Sequence, residues 1–104
     1  MRQYRQGDVM LVEVKAFSLT EAKPVPRDRG RVVLAYGEVT GHAHVIDDAL
    51  AELFEERDGR IYLKASGPVD LVHEEHGTIA IAPGTYEVIR QREYNPSEIR
   101  RVSD

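Results

Sequence analysis

The sequence contains no cysteine, which excludes disulfide bonds, thiolate metal ligands and cysteine nucleophiles together. No apolar run approaches the roughly 20 residues that a membrane-spanning helix needs, so we expect no membrane partner. The first residues include no apolar leader, which predicts a cytoplasmic protein. Acidic residues outnumber basic ones, with 18 Asp and Glu against 14 Lys and Arg. Since a general nucleic-acid binder needs clustered basic side chains, we expect no nucleic-acid partner.

Two catalytic motifs are also missing. No glycine-rich phosphate loop leads into a helix-like segment, and no Gly-x-Ser-x-Gly sequence occurs. Ser18, Ser66 and Ser97 all lie in predicted turns, and none has a histidine beside it. We therefore do not expect a serine hydrolase, and nothing in the sequence identifies a small-molecule substrate.

The composition is that of one globular domain, which we assign to residues 1–104. Apolar residues make up 41% of the chain and charged residues 31%. Short apolar runs rich in β-branched residues alternate with Gly and Pro turns, and no sustained helical period is present. The sequence therefore predicts an all-β fold, either a single small barrel or a jelly-roll-like sandwich of about seven to nine short antiparallel strands.

Some segments of this fold can be predicted in more detail. Proline and glycine interrupt residues 15–30, which predicts a long loop. Asp58-Gly59 lies between two alternating runs and predicts a two-residue hairpin turn, with Phe54 opposite Leu63 on the core face. Residues 97–102 fit either one helical turn or a short edge strand, and the sequence does not choose between them.

The four histidines of the chain occur as two close pairs, His42 with His44 and His73 with His76. Residues 42 and 44 of a strand share one face, as a chelating pair requires, and we expect a bend or bulge near Gly41. A turn at residues 75–77 would bring the second pair to one side. Because histidine is the commonest metal ligand, we predict that all four bind one divalent transition metal. The residue types do not distinguish Zn, Ni, Cu or Fe.

Two carboxylates lie between the second pair of histidines, and an enzyme built on this site would use Glu75 or Glu74 as its general base. The His-Glu-Glu-His spacing is one residue shorter than the zinc-protease motif and falls in a β context, so we reject a protease. An ordinary alternative is that all four histidines are hydrogen-bonded or solvated side chains without a ligand. The function would then be that of a non-enzymatic β-barrel module that binds a protein partner or assembles with itself.

Two stretches resemble the conserved motifs of the cupins. Residues 37–44, Gly-Glu-Val-Thr-Gly-His-Ala-His, are similar to the first motif, a glycine followed by a strand with His-x-His. Residues 77–86 are similar to the second, in which a glycine, five residues and a proline lead into a strand. The resemblance implies a small cupin-like barrel with a histidine-bound metal. Tyr86 or Glu87 stands where the second motif has its histidine, so His73 and His76 would replace the missing ligands.

Self-association is a further expectation. A domain of this length has a limited core and exposed strand edges, and pairing with a second copy covers both. We therefore predict a homo-oligomer. Separately, residues 8–14 together with residues 30–37 resemble the opening of a co-chaperonin barrel, although the loop between them lacks the mobile-loop signature of that family.

Overall fold

The structure is a computed structural model, and it describes residues 2–15, 21–37 and 42–91. These residues form ten strands, and every strand pair is antiparallel. The predicted all-β fold is confirmed, with ten strands where seven to nine were expected. Of the two predicted architectures, the sandwich fits, because the described strands do not close into a barrel.

The strands form two layers. The larger sheet has the order β1 (Gln3–Gln6), β2 (Val9–Glu13), β10 (Gly84–Arg90), β7 (Ile61–Ala65), β6 (Ala51–Glu55), β3 (Lys23–Pro24). The other strands pair as β4 (Val32–Tyr36) with β5 (Ala43–Ile46), and β8 (Val69–Leu71) with β9 (Ile79–Ile81). Two reciprocal backbone hydrogen bonds of 2.9 Å between Val45 and Val72 join these two pairs. The second layer is therefore continuous from β4 to β9.

The hydrophobic core lies between the two layers and draws on both. Its largest fully buried side chains are those of Val9, Leu11, Leu34, Ile46, Leu63, Leu71, Ile81 and Tyr86. Alternation along each strand directs these residues inward, as the period of two predicts. Tyr86 is fully buried, and its hydroxyl donates to the carbonyl of Ala82 at 2.6 Å. Burial is the main cause that raises the pKa of Tyr86 to about 12.

The hairpin between β6 and β7 corrects the predicted register. Leu53, and not Phe54, lies opposite Leu63. The loop has three residues, 57–59, and ends at Gly59, which has a φ of +92° that glycine adopts without strain. One additional loop residue shifts the pairing by one position and exchanges the two faces of the strand. Leu53 is therefore 4% exposed and belongs to the core, whereas Phe54 is only half buried.

Other predicted segments are described only in part. Within the predicted loop 15–30, residues 23 and 24 form β3, a two-residue edge strand on β6. A proline is tolerated there because an edge strand has one side without ladder partners. The bulge expected near Gly41 and the segment 97–102 lie outside the described residues. The irregularity that is described lies in the opposite strand, between Val33 and Ala35 of β4.

Candidate functional site

Strand β5 fixes the first histidine pair at the margin of the core. All residues of β5 are buried, and His44 is 2% exposed and lies opposite Ala35 of β4. His42 immediately precedes the strand, and its carbonyl accepts the amide of Gly37 at 2.7 Å. The side chain of His42 keeps 25% of its surface exposed. The first pair therefore has one buried imidazole and one at the surface.

The second pair lies in a turn that follows the bridge residue Val72. The Nδ1 atom of His73 accepts the amide of Glu75 at 3.0 Å and that of His76 at 3.4 Å. These bonds fold the chain back, so that the ring centroids of His73 and His76 lie 4.6 Å apart. Because a backbone amide can only donate, Nδ1 of His73 carries no proton, and a neutral ring carries it on Nε2.

The four rings form one group, here named the histidine cluster (His42, His44, His73 and His76). His73 is at its centre, with ring centroids 5.7 Å from His42, 4.3 Å from His44 and 4.6 Å from His76. The rings of His44 and His76 are nearly parallel, 5.9 Å apart with 15° between their planes. The two pairs, about 30 residues apart in sequence, thus converge in space as the sequence predicted.

A buried glutamine determines the protonation pattern of His44. Gln6, the last residue of β1, is 2% exposed, and its Nε2 donates to the carbonyls of Leu71 at 2.9 Å and Gly77 at 3.0 Å. These two acceptors fix the orientation of the amide and direct its Oε1 to Nδ1 of His44, 2.8 Å away. Since a carbonyl oxygen can only accept, Nδ1 of His44 carries the proton. The opposite ring atom, Nε2, lies 3.3 Å from Oδ1 of Asp8.

The turn between β1 and β2 supplies Asp8 and the space for His76. Gln6 pairs with Val9, so Gly7 and Asp8 form a two-residue loop, and Gly7 has a φ of +59°. A Cβ at Gly7 would lie 2.6 Å from Nε2 of His76. The backbone conformation therefore favours glycine here, and any side chain at this position would displace the imidazole of His76.

The two glutamates of the turn have different partners. Oε1 of Glu75 lies 2.9 Å from Nδ1 of His42, and 65% of the Glu75 side chain is exposed. Glu74 instead accepts the backbone amide of Ala43 at 2.9 Å. That hydrogen bond is the main cause that lowers the pKa of the Glu74 carboxyl. Glu74 thus joins the turn to β5 through a hydrogen bond, while the carboxylate of Glu75 orients the ring of His42.

Sequence reasoning located the four histidines but missed Gln6 and Asp8. The Gly-Asp pair at residues 7 and 8 was recognisable as a turn, but the strand before it was not predicted. An extended Gln3–Gln6 strand would have indicated a hairpin whose tip carries a carboxylate. Only the packing of this tip against β5 shows that it belongs to the site.

The described side chains do not form a completed ion site. Within residues 2–15, 21–37 and 42–91, no three histidine or carboxylate side chains are placed so that together they would hold one ion. Three of the four histidines already use one ring nitrogen within the protein. Nδ1 of each of His42, His44 and His73 bonds to a group of the protein. The metal site and the general-base roles of Glu74 and Glu75 therefore stay predictions.

Fold and site together define a small all-β sandwich protein with a cluster of imidazoles between a β-hairpin tip and a neighbouring turn. The chain belongs to the family described as a domain of unknown function (DUF8820), which matches residues 5–91. Comparisons with curated proteins and with solved structures found no match. The resemblance to cupins stays a prediction. The part of the chain that the structure describes has no helix with the length and apolarity to cross a membrane.

Proposed function

We propose that the histidine cluster binds a divalent transition-metal ion. The observation that supports this most strongly is the spacing of the rings. A metal–nitrogen bond of about 2.0 to 2.1 Å puts the ion roughly 3.2 Å from the centre of an imidazole ring. Two rings on one ion then lie about 4.5 Å apart at a right angle and about 5.2 Å apart at a tetrahedral angle. The separations from His73 are 4.3 Å to His44, 4.6 Å to His76 and 5.7 Å to His42, and His44 lies 5.9 Å from His76, so the four values extend from below to above this range.

The hydrogen bonds of two cluster members support the same proposal. His42 directs Nδ1 to a carboxylate and His44 directs Nδ1 to a side-chain carbonyl, so both rings carry their Nδ1 proton toward an oxygen. Metal-bound histidines usually show this arrangement, in which the bond at one nitrogen fixes the tautomer and makes the other nitrogen the ligand. Nε2 is accordingly the ligating atom that we assign to both residues.

The other two histidines need different rearrangements to bind the ion. His76 is exposed, and rotation of its side chain changes no strand pairing. His73 ligates through Nε2 only if its proton moves to Nδ1, which then no longer accepts the amides of Glu75 and His76. We therefore expect His42, His44 and His76 to bind first. Three or four imidazoles suit Zn, Ni, Cu or Fe, and the donor type does not separate these ions.

A catalytic form of the site would need a general base as well as the ion. Glu75 is the better placed of the two glutamates, because it is exposed and lies beside His42. Glu74 is the weaker base, since the amide of Ala43 stabilises its ionised form. An enzyme would also keep one coordination position for a water molecule or a substrate.

The proposal is tested by calorimetric titration with Zn²⁺ of the full chain prepared without a histidine tag. We expect roughly one ion per chain, and a loss of affinity of more than about 100-fold when His42 and His76 are both replaced by Gln. Both side chains have solvent-exposed surface, so this pair of substitutions preserves the core. Glu52→Gln, on the exposed face of β6, is the matched control and should bind as the parent does. The absence of heat in the parent, or equal binding by the double variant, would contradict a metal site.

A second candidate is the non-enzymatic binding module. One observation favours it, namely that Nδ1 of His44 and Nδ1 of His73 already bond to protein groups without an ion. The same titration decides between the two. A non-enzymatic binding module would bind no Zn²⁺. Replacing His42 and His76 by Gln would then change the association state of the chain only if the histidine cluster is itself the contact surface.

A further inference from the structure

The tip of the β1–β2 hairpin places a carboxylate oxygen beside β5, next to the histidine cluster. Oδ1 of Asp8 lies 3.3 Å from Nε2 of His44, the atom opposite the bond to Gln6. The His44 side chain is 3% exposed, whereas that of Asp8 is 36% exposed. An imidazole fixed in the core and a carboxylate at the surface therefore meet at one point.

This distance falls in the range of two ligands on the same ion. Zn–N bonds of about 2.0 to 2.1 Å and Zn–O bonds of about 2.0 to 2.2 Å put neighbouring donor atoms roughly 2.9 to 3.5 Å apart, for angles between a right angle and the tetrahedral angle. The value of 3.3 Å lies inside that interval. It is also longer than the roughly 2.7 to 2.9 Å typical of a charge-assisted hydrogen bond between a nitrogen and a carboxylate.

The position of His44 is fixed independently of Asp8. Gln6 donates to two backbone carbonyls, one buried and one partly buried, and accepts from Nδ1 of His44. This network holds the ring plane and the tautomer, so Nε2 faces the hairpin tip whether or not an ion is present. Gln6 is thus the positioning residue for the nitrogen donor, and the tight Gly7–Asp8 loop positions the oxygen donor.

We propose that Asp8 is a metal ligand and that it shares the ion with Nε2 of His44. This inference rests on the proposed metal-binding function and changes its chemistry. One carboxylate among imidazoles gives a mixed nitrogen and oxygen site, which suits Zn²⁺, Fe²⁺ or Mn²⁺ and disfavours Cu⁺, an ion that prefers softer donors. The carboxylate also offsets one of the two positive charges of the ion, which neutral imidazoles do not.

The test compares Asp8→Asn with Asp70→Asn in Zn²⁺ calorimetry on the full chain. The two substitutions are identical in chemistry, and Asp70 is exposed on β8. We expect Asp8→Asn to lower the affinity for Zn²⁺ by more than about 100-fold and Asp70→Asn to leave it unchanged. Melting of each variant without metal checks that the fold is kept.

A measurement on the unaltered chain covers the case in which Asp8→Asn does not fold. The carboxyl ¹³C resonance of Asp8 is followed by NMR during addition of Zn²⁺, with that of Asp70 as the internal reference. A saturating change at Asp8 alone supports the inference. If the parent binds Zn²⁺ while neither the substitution nor the resonance responds, Asp8 is not a ligand and the histidine site stands alone. If the parent binds no Zn²⁺, the proposed function fails and this inference fails with it.

Discussion

Replacing Gln6 by Leu tests the polar network on which the site is built. Leucine is close to glutamine in size but lacks its amide, so the substitution removes three hydrogen bonds at once, to Leu71, Gly77 and His44. Each bond contributes about 1 kcal/mol net, and each buried group left without a partner costs about 1 to 3 kcal/mol. The apolar side chain regains part of this through burial. We expect a net loss of about 3 to 5 kcal/mol in the free energy of unfolding.

That loss is a large fraction of the total stability of a domain of this size, which is about 5 to 15 kcal/mol. Since 1 kcal/mol corresponds to about 4 to 8 °C for a domain of 60 to 100 residues, we expect the melting temperature to fall by more than about 12 °C. The assay is urea unfolding followed by circular dichroism, together with a thermal melt. Gln3→Leu is the matched control, because Gln3 lies on the same strand but is exposed. Its effect should be within about 0.5 kcal/mol. Equal stability of the two variants would refute the role assigned to the buried amide.

Three further predictions concern a loop, a register and an assembly. Gly7→Ala and Gly30→Ala both place a side chain at positive φ, so each should lower the free energy of unfolding by about 1 to 2 kcal/mol. Only Gly7→Ala should also weaken the binding of Zn²⁺, because its Cβ would displace His76. In a urea titration, Leu53→Ala should lower the free energy of unfolding by about 2 to 5 kcal/mol, and Phe54→Ala should lower it by less than half as much. A larger loss for Phe54→Ala would contradict the observed register and support the two-residue turn. Sedimentation at micromolar concentration should show an oligomer, and a monomer would exclude self-association under these conditions.

The strands were predictable because their signals are local. A run such as Val9–Glu13 combines β-branched residues with a glycine-containing turn before it, and both features act within a few residues. The register of the β6–β7 hairpin was not predictable to one residue. Asp58-Gly59 fits a two-residue and a three-residue loop, and only the burial of Leu53 against the opposite layer decides between them.

The site was predictable in its histidines and not in their partners. The spacing of His42 and His44 predicts that they form a pair, because a strand puts alternate residues on one face. Gln6 and Asp8 carry no such signal, since they meet His44 across more than 30 positions of sequence. His73 was predicted as a ligand from its residue type and its pairing with His76. The structure gives its Nδ1 to the amides of a turn, a role that depends on backbone geometry rather than on residue type.

The most direct test of the metal site is a melting curve of the tag-free chain with Zn²⁺ and with a chelator. An ion present at about 100 times its dissociation constant stabilises the folded state by about 2.7 kcal/mol. For a domain of this size, that corresponds to a rise in melting temperature of roughly 11 to 22 °C at about pH 7.5. The rise should shrink at about pH 5.5, because imidazole binds a metal only in its neutral form. Identical curves with Zn²⁺ and with chelator at both pH values would contradict the metal site and leave the binding module as the remaining proposal.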